Sequence, residues 1–202
     1  MSEQKKKNEH KILIVSIIII FACFFLILFF NQYFKEKKID ETTYNNFEFF
    51  YSEVEGLWYT QIQIDQQPFN IPFYYHPNEL EDIIVQEGIE DGIWNKPSQI
   101  FITFPVNVTP KMGIAGTEIS RLTGDRYGLF NIPTKSSLTE KTDISIGVTC
   151  QWANENTVVI YMLIGEQNIA FLNDDCIVLM AQNENESIRV ADAFTYHLLK
   201  II

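Results

Sequence analysis

From residue 12 to residue 30 every position is apolar except Ser16. At about 1.5 Å of rise per residue such a run extends roughly 28 Å as a helix, close to the ~30 Å hydrocarbon core of a bilayer. A transmembrane helix over residues 12–34 is therefore expected. Tyr33 and Phe34 fall at its far end, where an amphipathic ring suits the headgroup layer. Past the charged residues 35–44 the period changes. Phe47, Phe49 and Tyr51 alternate with Glu48, Phe50 and Ser52, and residues 57–65 set Trp58, Thr60, Ile62 and Ile64 against Leu57, Tyr59, Gln61 and Gln63. A period of two with aromatic and β-branched residues predicts half-buried strands. Residues 65–68 turn the chain and residues 69–75 return as a hairpin partner, with Pro72 pointing to an edge or a bulge.

Residues 77–82 open with Pro77 and carry acids, as a short helical turn does. Strands are expected at 83–85 and 99–104, the latter stopped by Pro105. Ile114, Ala115, Ile119 and Leu122 predict a helix over 113–122, and a strand is expected at 127–132. Strand, helix and strand in that order allow one parallel pairing. Residues 157–164 are a nearly continuous apolar run, followed by a turn at 165–168 and strands at 169–172 and 176–180. Ser187 is the expected N-cap of a closing helix. Ile188, Ala191, Phe194 or Thr195, Leu198 and Ile201 form its buried stripe, and Arg189, Asp192, Tyr196 and Lys200 its solvent face. The expected fold class is α+β: an N-terminal transmembrane helix, then a mixed, mostly antiparallel sheet domain with a closing C-terminal amphipathic helix. The boundaries are a basic tail at 1–11, the anchor at 12–34, a charged stalk at 35–44 and the outer domain at 45–202.

A cleaved signal peptide has a shorter apolar region and small residues at its cleavage site. Here the run ends in Phe29, Phe30, Asn31, Gln32 and Tyr33, so an uncleaved signal anchor is preferred. A pilin-type leader is cut after a small residue beside the apolar run; Asn8, Glu9, His10 and Lys11 stand there, and no glycine precedes Gly56.

The chain has 202 residues and a formal charge of −11. That figure is a sum of opposites. Residues 1–38 carry seven lysines against three glutamates, net +4, and residues 39–202 carry 8 basic and 23 acidic residues, net −15. An acidic outer domain argues against nucleic acid as a partner, because phosphate binding needs a basic face. The lysines flanking the apolar run are nearly balanced, so the short N-terminal tail and the cysteines decide orientation: N terminus cytoplasmic, residues beyond 39 outside the cell membrane. Cys150 and Cys176 are the only cysteines beyond the anchor and are expected to form a disulfide in an oxidising compartment. Asn107-Val108-Thr109 and Asn185-Glu186-Ser187 are glycosylation sequons compatible with export.

Catalytic signatures are scarce: no G-x-S-x-G elbow, H-E-x-x-H, Walker loop or dinucleotide glycine pattern occurs, and no cofactor is expected. Ser137 and Lys141 stand four apart, the spacing that would place a nucleophile and a base on one helical face. Their neighbours, residues 134–141, read as a solvated loop that keeps lysine charged. Residues 113–116, Gly-Ile-Ala-Gly, could offer backbone amides to an anion beside Lys111. His76 and His197 read as surface or satisfied histidines. Asn173, Asp174 and Asp175 lack the alternate spacing of a calcium loop and read as an acidic hairpin turn. Ten aromatic residues between Phe47 and Tyr75 crowd one region, either as a binding patch for a protein or glycan or as a sheet covered on both faces.

The segment DDCIVLMAQNENESIRVADAFTYHLLKII, with the basic tail, Ile/Phe-rich anchor and acidic β-rich domain before it, resembles a group of single-pass, membrane-anchored exported proteins of small-genome archaea that have no assigned activity. The resemblance implies a tethered outer domain and transfers no functional residue. Two functions are expected to compete: a membrane-anchored extracytoplasmic binding or assembly module within an envelope or surface complex, held in the lipid bilayer by residues 12–34, and a tethered envelope hydrolase using serine and lysine. The scarcity of catalytic signatures favours the first.

Overall fold

The computed structural model describes residues 21–22, 24–26, 40–64 and 66–202. The chain forms two compact units, Met1–Lys38 and Ile39–Ile202. The expected basic tail lies outside the described residues, as does most of the expected anchor, of which residues 21–22 and 24–26 are helical. Among the described residues no helix is long and apolar enough to cross a membrane.

The second unit begins with an antiparallel meander of β1 (Asp40–Tyr44), β2 (Phe47–Ser52), β3 (Leu57–Ile64) and β4 (Gln67–Phe73). Strand β1 thus lies inside the segment expected to be a stalk. Asn45 and Asn46, with φ of 46° and 68°, supply the two left-handed residues that a type I′ hairpin turn needs. Pro72 sits on the edge strand β4, as its missing amide requires.

The second sheet has six strands in the order β5 (Ile84–Val85), β11 (Ile169–Asn173), β12 (Cys176–Ala181), β10 (Thr157–Ile164), β6 (Gln99–Phe104) and β7 (Thr134–Leu138). Strands β12, β10, β6 and β7 run parallel, while β11 is antiparallel to β12 across the Asp174-Asp175 turn. A two-stranded hairpin, β8 (Lys141–Thr142) and β9 (Ser145–Ile146), follows β7. The expected strand–helix–strand unit is present with its parallel pairing, but its last strand is Thr134–Leu138, not 127–132. Residues 134–138, expected to be a solvated loop, are that strand.

Helix α1 (Asp91–Trp94) is short. Helix α2 (Pro110–Thr123) starts one turn earlier than expected, because Thr109 caps it through Oγ1 and Pro110 takes the first position, where no amide is needed. Helix α3 (Glu186–Leu198) closes the fold, with Asn185 at its N-cap. Ser187 is not the cap; it lies buried in the first turn and donates to the Asn183 carbonyl, while Asn183 Oδ1 accepts the amides of Asn185 and Glu186.

Helices α2 and α3 lie between the two sheets. Ile100, Ile102, Phe104, Val158, Ile160, Ile177 and Leu179 bury one face of the six-stranded sheet in the main core with α2 and α3, and Phe49, Ile71 and Phe73 close it from the other side. The opposite face of the six-stranded sheet carries Phe101, Val159 and Val178 in a second cluster with Val148. Strands covered on both faces read as continuous apolar runs, which is why 157–164 shows no alternation. The expected disulfide joins Cys150 to Cys176 on this outer side, with Cα atoms 5.2 Å apart.

Lying between two sheets also overturns half of the expected solvent face of the closing helix: Lys200 is exposed and Arg189 half-buried, but Asp192 and Tyr196 are not at the surface. Asp192 and Tyr196 are only 1% and 0% exposed. Asp192 Oδ2 accepts two backbone amides, Tyr196 Oη donates to the Tyr75 carbonyl, and the Tyr196 ring stacks on Phe73. Asp192 Oδ2 and Tyr196 Oη are thus bonded to the backbone just beyond β4, so burial does not leave these two atoms unpaired.

Candidate functional site

A cleft of about 680 Å³ opens where α2 meets the free edge of the six-stranded sheet. Strand β6 supplies its floor through Ile102 and Phe104. Helix α2 supplies one wall through Gly113, Gly116, Thr117 and Ser120, which recur at three and four residues and so share one face. Their small size keeps the wall low. A Cβ on Gly116 would stand 2.5 Å from Phe104 Cζ, so the helix packs onto the sheet only as glycine there; a Cβ on Gly113 would meet nothing within 4 Å.

The other wall is β7 itself. Ile100 donates its amide to Pro133 at one end of the ladder, and Thr139 donates to Phe104 at the other. In a parallel ladder this makes the odd positions of β7 bond to β6, and the even positions, Thr134, Ser136 and Leu138, direct their backbone groups outward. Those of Leu138 are taken: its amide donates to Ser145 Oγ at 2.9 Å and its carbonyl accepts from Val148 at 2.8 Å. Among the described residues the outward amides and carbonyls of Thr134 and Ser136 have no backbone or side-chain partner.

Val106, Val108 and Ile144 form the rim, and Ile144 is 92% exposed. With Val106 and Val108, also exposed, Ile144 gives the cleft an apolar rim open to water. Most hydroxyls in the walls are already bonded within the fold: Thr117 donates to Gly113, Ser120 to Thr117, and Thr134 bonds Thr123 and the Ile132 carbonyl. Lys135 is the one charged residue among those lining the cleft; paired with Phe101, it sits on the sheet face opposite Ile102 and Phe104, and no acidic residue lines the cleft.

Ser137 lies in this cleft, but its hydroxyl partners are Ser145 Oγ at 2.9 Å and the Leu138 carbonyl. Lys141 is exposed on β8, pairs with Ile146 and does not line the cleft. The four-residue spacing spans two strands and a turn, not a helix, so the two side chains do not share a face as the sequence suggested. The Gly113–Gly116 stretch lies inside α2, and the Gly113 amide donates to the Thr109 carbonyl at 3.1 Å, so it is no free anion cradle.

His76 is buried, with Nδ1 capping the turn Pro77–Glu79 by accepting the Asn78 amide. Its ring is boxed by Tyr44, Phe49 and Trp58, and among the described residues its Nε2 has no hydrogen-bond partner. Burial pushes its pKa below the usual histidine value, against a weaker pull from Glu79. His197 is lowered by burial as well, with Glu90 opposing. Asp174 and Asp175 form the hairpin turn expected of them and line a second, acidic cleft of about 440 Å³ with Asp91 and Glu155. Among the described residues no group of three metal-ligating side chains is arranged around a common point.

The crowded aromatics mostly face inward. Phe49 and Phe73 are in the core, with Phe47, Trp58 and Phe69 packed against it; on the outer face Phe50 and Tyr59 stack at 5.2 Å. Asn107 and Asn185 are both exposed, and Asn185 Oδ1 accepts a hydrogen bond from Lys111.

The cleft itself was not legible in the sequence. The signal was present as four small residues on one face of α2 opposite a polar strand, but no local rule distinguishes such a face from close helix packing. Compared with protein-family models, curated proteins and solved structures, the chain matches none of them.

Proposed function

We propose that this chain is a membrane-anchored extracytoplasmic binding module, a subunit of an envelope or surface complex, that takes its partner into the cleft between α2 and β7. The observation that carries the reading is the cleft's construction: an apolar floor and an exposed apolar rim beside an unpaired sheet edge. Clefts of this size, largely apolar with a few polar groups, are the usual form of a binding site. The apolar run 12–30 supplies the tether, and the Cys150–Cys176 bond suits an oxidising compartment.

Two measurements on the full chain test it. A thiol reagent that cannot cross membranes should label reduced Cys150 in intact cells; labelling only after lysis reverses the orientation. In mildly solubilised envelopes the chain should migrate in an assembly larger than a monomer, and Gly113→Trp, which fills the cleft from a position with free space around it, should release it. Migration unchanged by Gly113→Trp would remove the cleft from the function.

A further inference from the structure

We infer that the occupant of the cleft is an extended peptide segment, added as a strand beside β7, with an apolar side chain over Ile102 and Phe104 and an acidic residue beside Lys135. The inference rests on the reading of the cleft as a binding site and specifies what it binds.

The backbone argues for a peptide. Thr134 and Ser136 present two amides and two carbonyls along one edge, two residues apart, the repeat an added strand matches. Natural sheets normally blunt such edges. Here β4 carries Pro68 and Pro72, β5 is two residues long, and the C-terminal end of β7 is capped by Ser145 and Val148. Among the described residues β1 also pairs on one side only, and the open stretch of β7 is the one that borders a cleft. An acyl chain would fill the apolar floor but leave these four polar groups unpaired.

The charge narrows the class. In a domain of net −15 the cleft is lined by Lys135 and no carboxylate. A neutral or acidic segment avoids the repulsion that the rest of the surface imposes and gains the lysine. A second copy of this acidic domain would bring two like-charged surfaces together, so the partner is a different chain.

The test uses the full chain in phosphatidylcholine nanodiscs and a displayed library of random dodecapeptides, with dodecanoate as the acyl probe. Enriched peptides should alternate apolar and polar positions and carry net negative charge. Bound peptide should slow amide exchange at Thr134 and Ser136 by at least about tenfold, and N-methylation of one pairing residue of the peptide should weaken binding about tenfold. Lys135→Glu should weaken it about fivefold. Peptides that bind and are lost in Gly113→Trp, yet are indifferent to N-methylation and leave both amides unprotected, overturn strand addition and leave the cleft reading standing. Dodecanoate binding without any enriched peptide does the same. No binding of either probe, or binding unaffected by Gly113→Trp, overturns both.

Discussion

Asp192 Oδ2 accepts the backbone N–H of Tyr74 at 2.8 Å, across 118 residues of sequence, and that of Tyr75 at 2.9 Å. One carboxylate on α3 therefore holds the chain just beyond β4, where the meander leaves its last strand. One helical turn later Tyr196 donates to the Tyr75 carbonyl at 2.9 Å and stacks on Phe73 with ring centroids 4.0 Å apart. The polar side of the helix is the joint between the four-stranded sheet and the rest of the domain.

Asp192→Ala removes the acceptor from two partly buried amides and should destabilise the domain by about 2–4 kcal/mol. Asp192→Asn keeps a side-chain oxygen and should cost about half as much. Urea unfolding followed by tryptophan fluorescence separates the two. Equal losses would mean that the carboxylate's charge, not its acceptor role, matters.

Burial pushes the Asp192 carboxyl well above the usual carboxylate range, with the two amides pulling it back, and burial raises Glu118 against the opposing Arg121. A carboxyl whose folded pKa is raised binds its proton more tightly in the native state. Its stabilising contribution is present below the unfolded carboxylate pKa and is lost as pH rises towards the folded one. Unfolding free energy measured upward from pH 4 should therefore contain a declining component that Asp192→Asn reduces. An unchanged profile in that variant would be the contrary result.

His76 gives the opposite sign. Its folded pKa is lowered by burial among aromatic rings, so its contribution is complete at neutral pH and is lost as pH falls below the unfolded histidine value. His76→Asn, which can still accept from Asn78, should flatten the acid side of the stability curve as pH falls below about 6.5. A curve as steep as that of the parent chain would contradict this.

The two helix glycines should behave differently. Gly116→Ala forces a Cβ to within 2.5 Å of Phe104 Cζ and 3.3 Å of Ile102 Cγ2, and should cost about 1–3 kcal/mol through overpacking. Gly113→Ala meets open space and should stabilise by up to about 1 kcal/mol through helix propensity. Thermal melts of the two variants should shift in opposite directions.

Cys150 and Cys176 close a loop with a sequence separation of 26. In the chain-entropy account their bond contributes about 3–4 kcal/mol. Cys150→Ser with Cys176→Ala should lower the melting temperature in oxidising buffer, and reductant should then have no further effect. A melting temperature insensitive to both would show that the outer cluster holds without the bond.

Several elements were readable because their cause is local. The apolar run at 157–164, the turn at Asp174-Asp175, the cysteine pair and the apolar stripe of the closing helix each follow from short-range pattern. The α+β class followed from adding them. Strand β1 was missed because Asp40 to Tyr44 looks like a charged tether, and only the Asn45-Asn46 turn signals that it folds back. Strand β7 was missed because Thr134, Lys135, Ser136 and Ser137 are polar; an edge strand next to an open cleft does not need an apolar face. Ser137 and Lys141 suggested a pair by spacing alone, and the chain turns between them.

Local residue pattern decided most of the strands and helices, β1 and β7 excepted, because propensity, alternation and capping act within a few residues. It could not decide how two sheets share one helix. That depended on contacts over more than a hundred residues, where Asp192 and Tyr196 exchange water for the backbone of Tyr74 and Tyr75. The cleft has the same origin: glycines on α2, apolar side chains on β6 and unpaired backbone on β7 become a site only when packing sets them side by side.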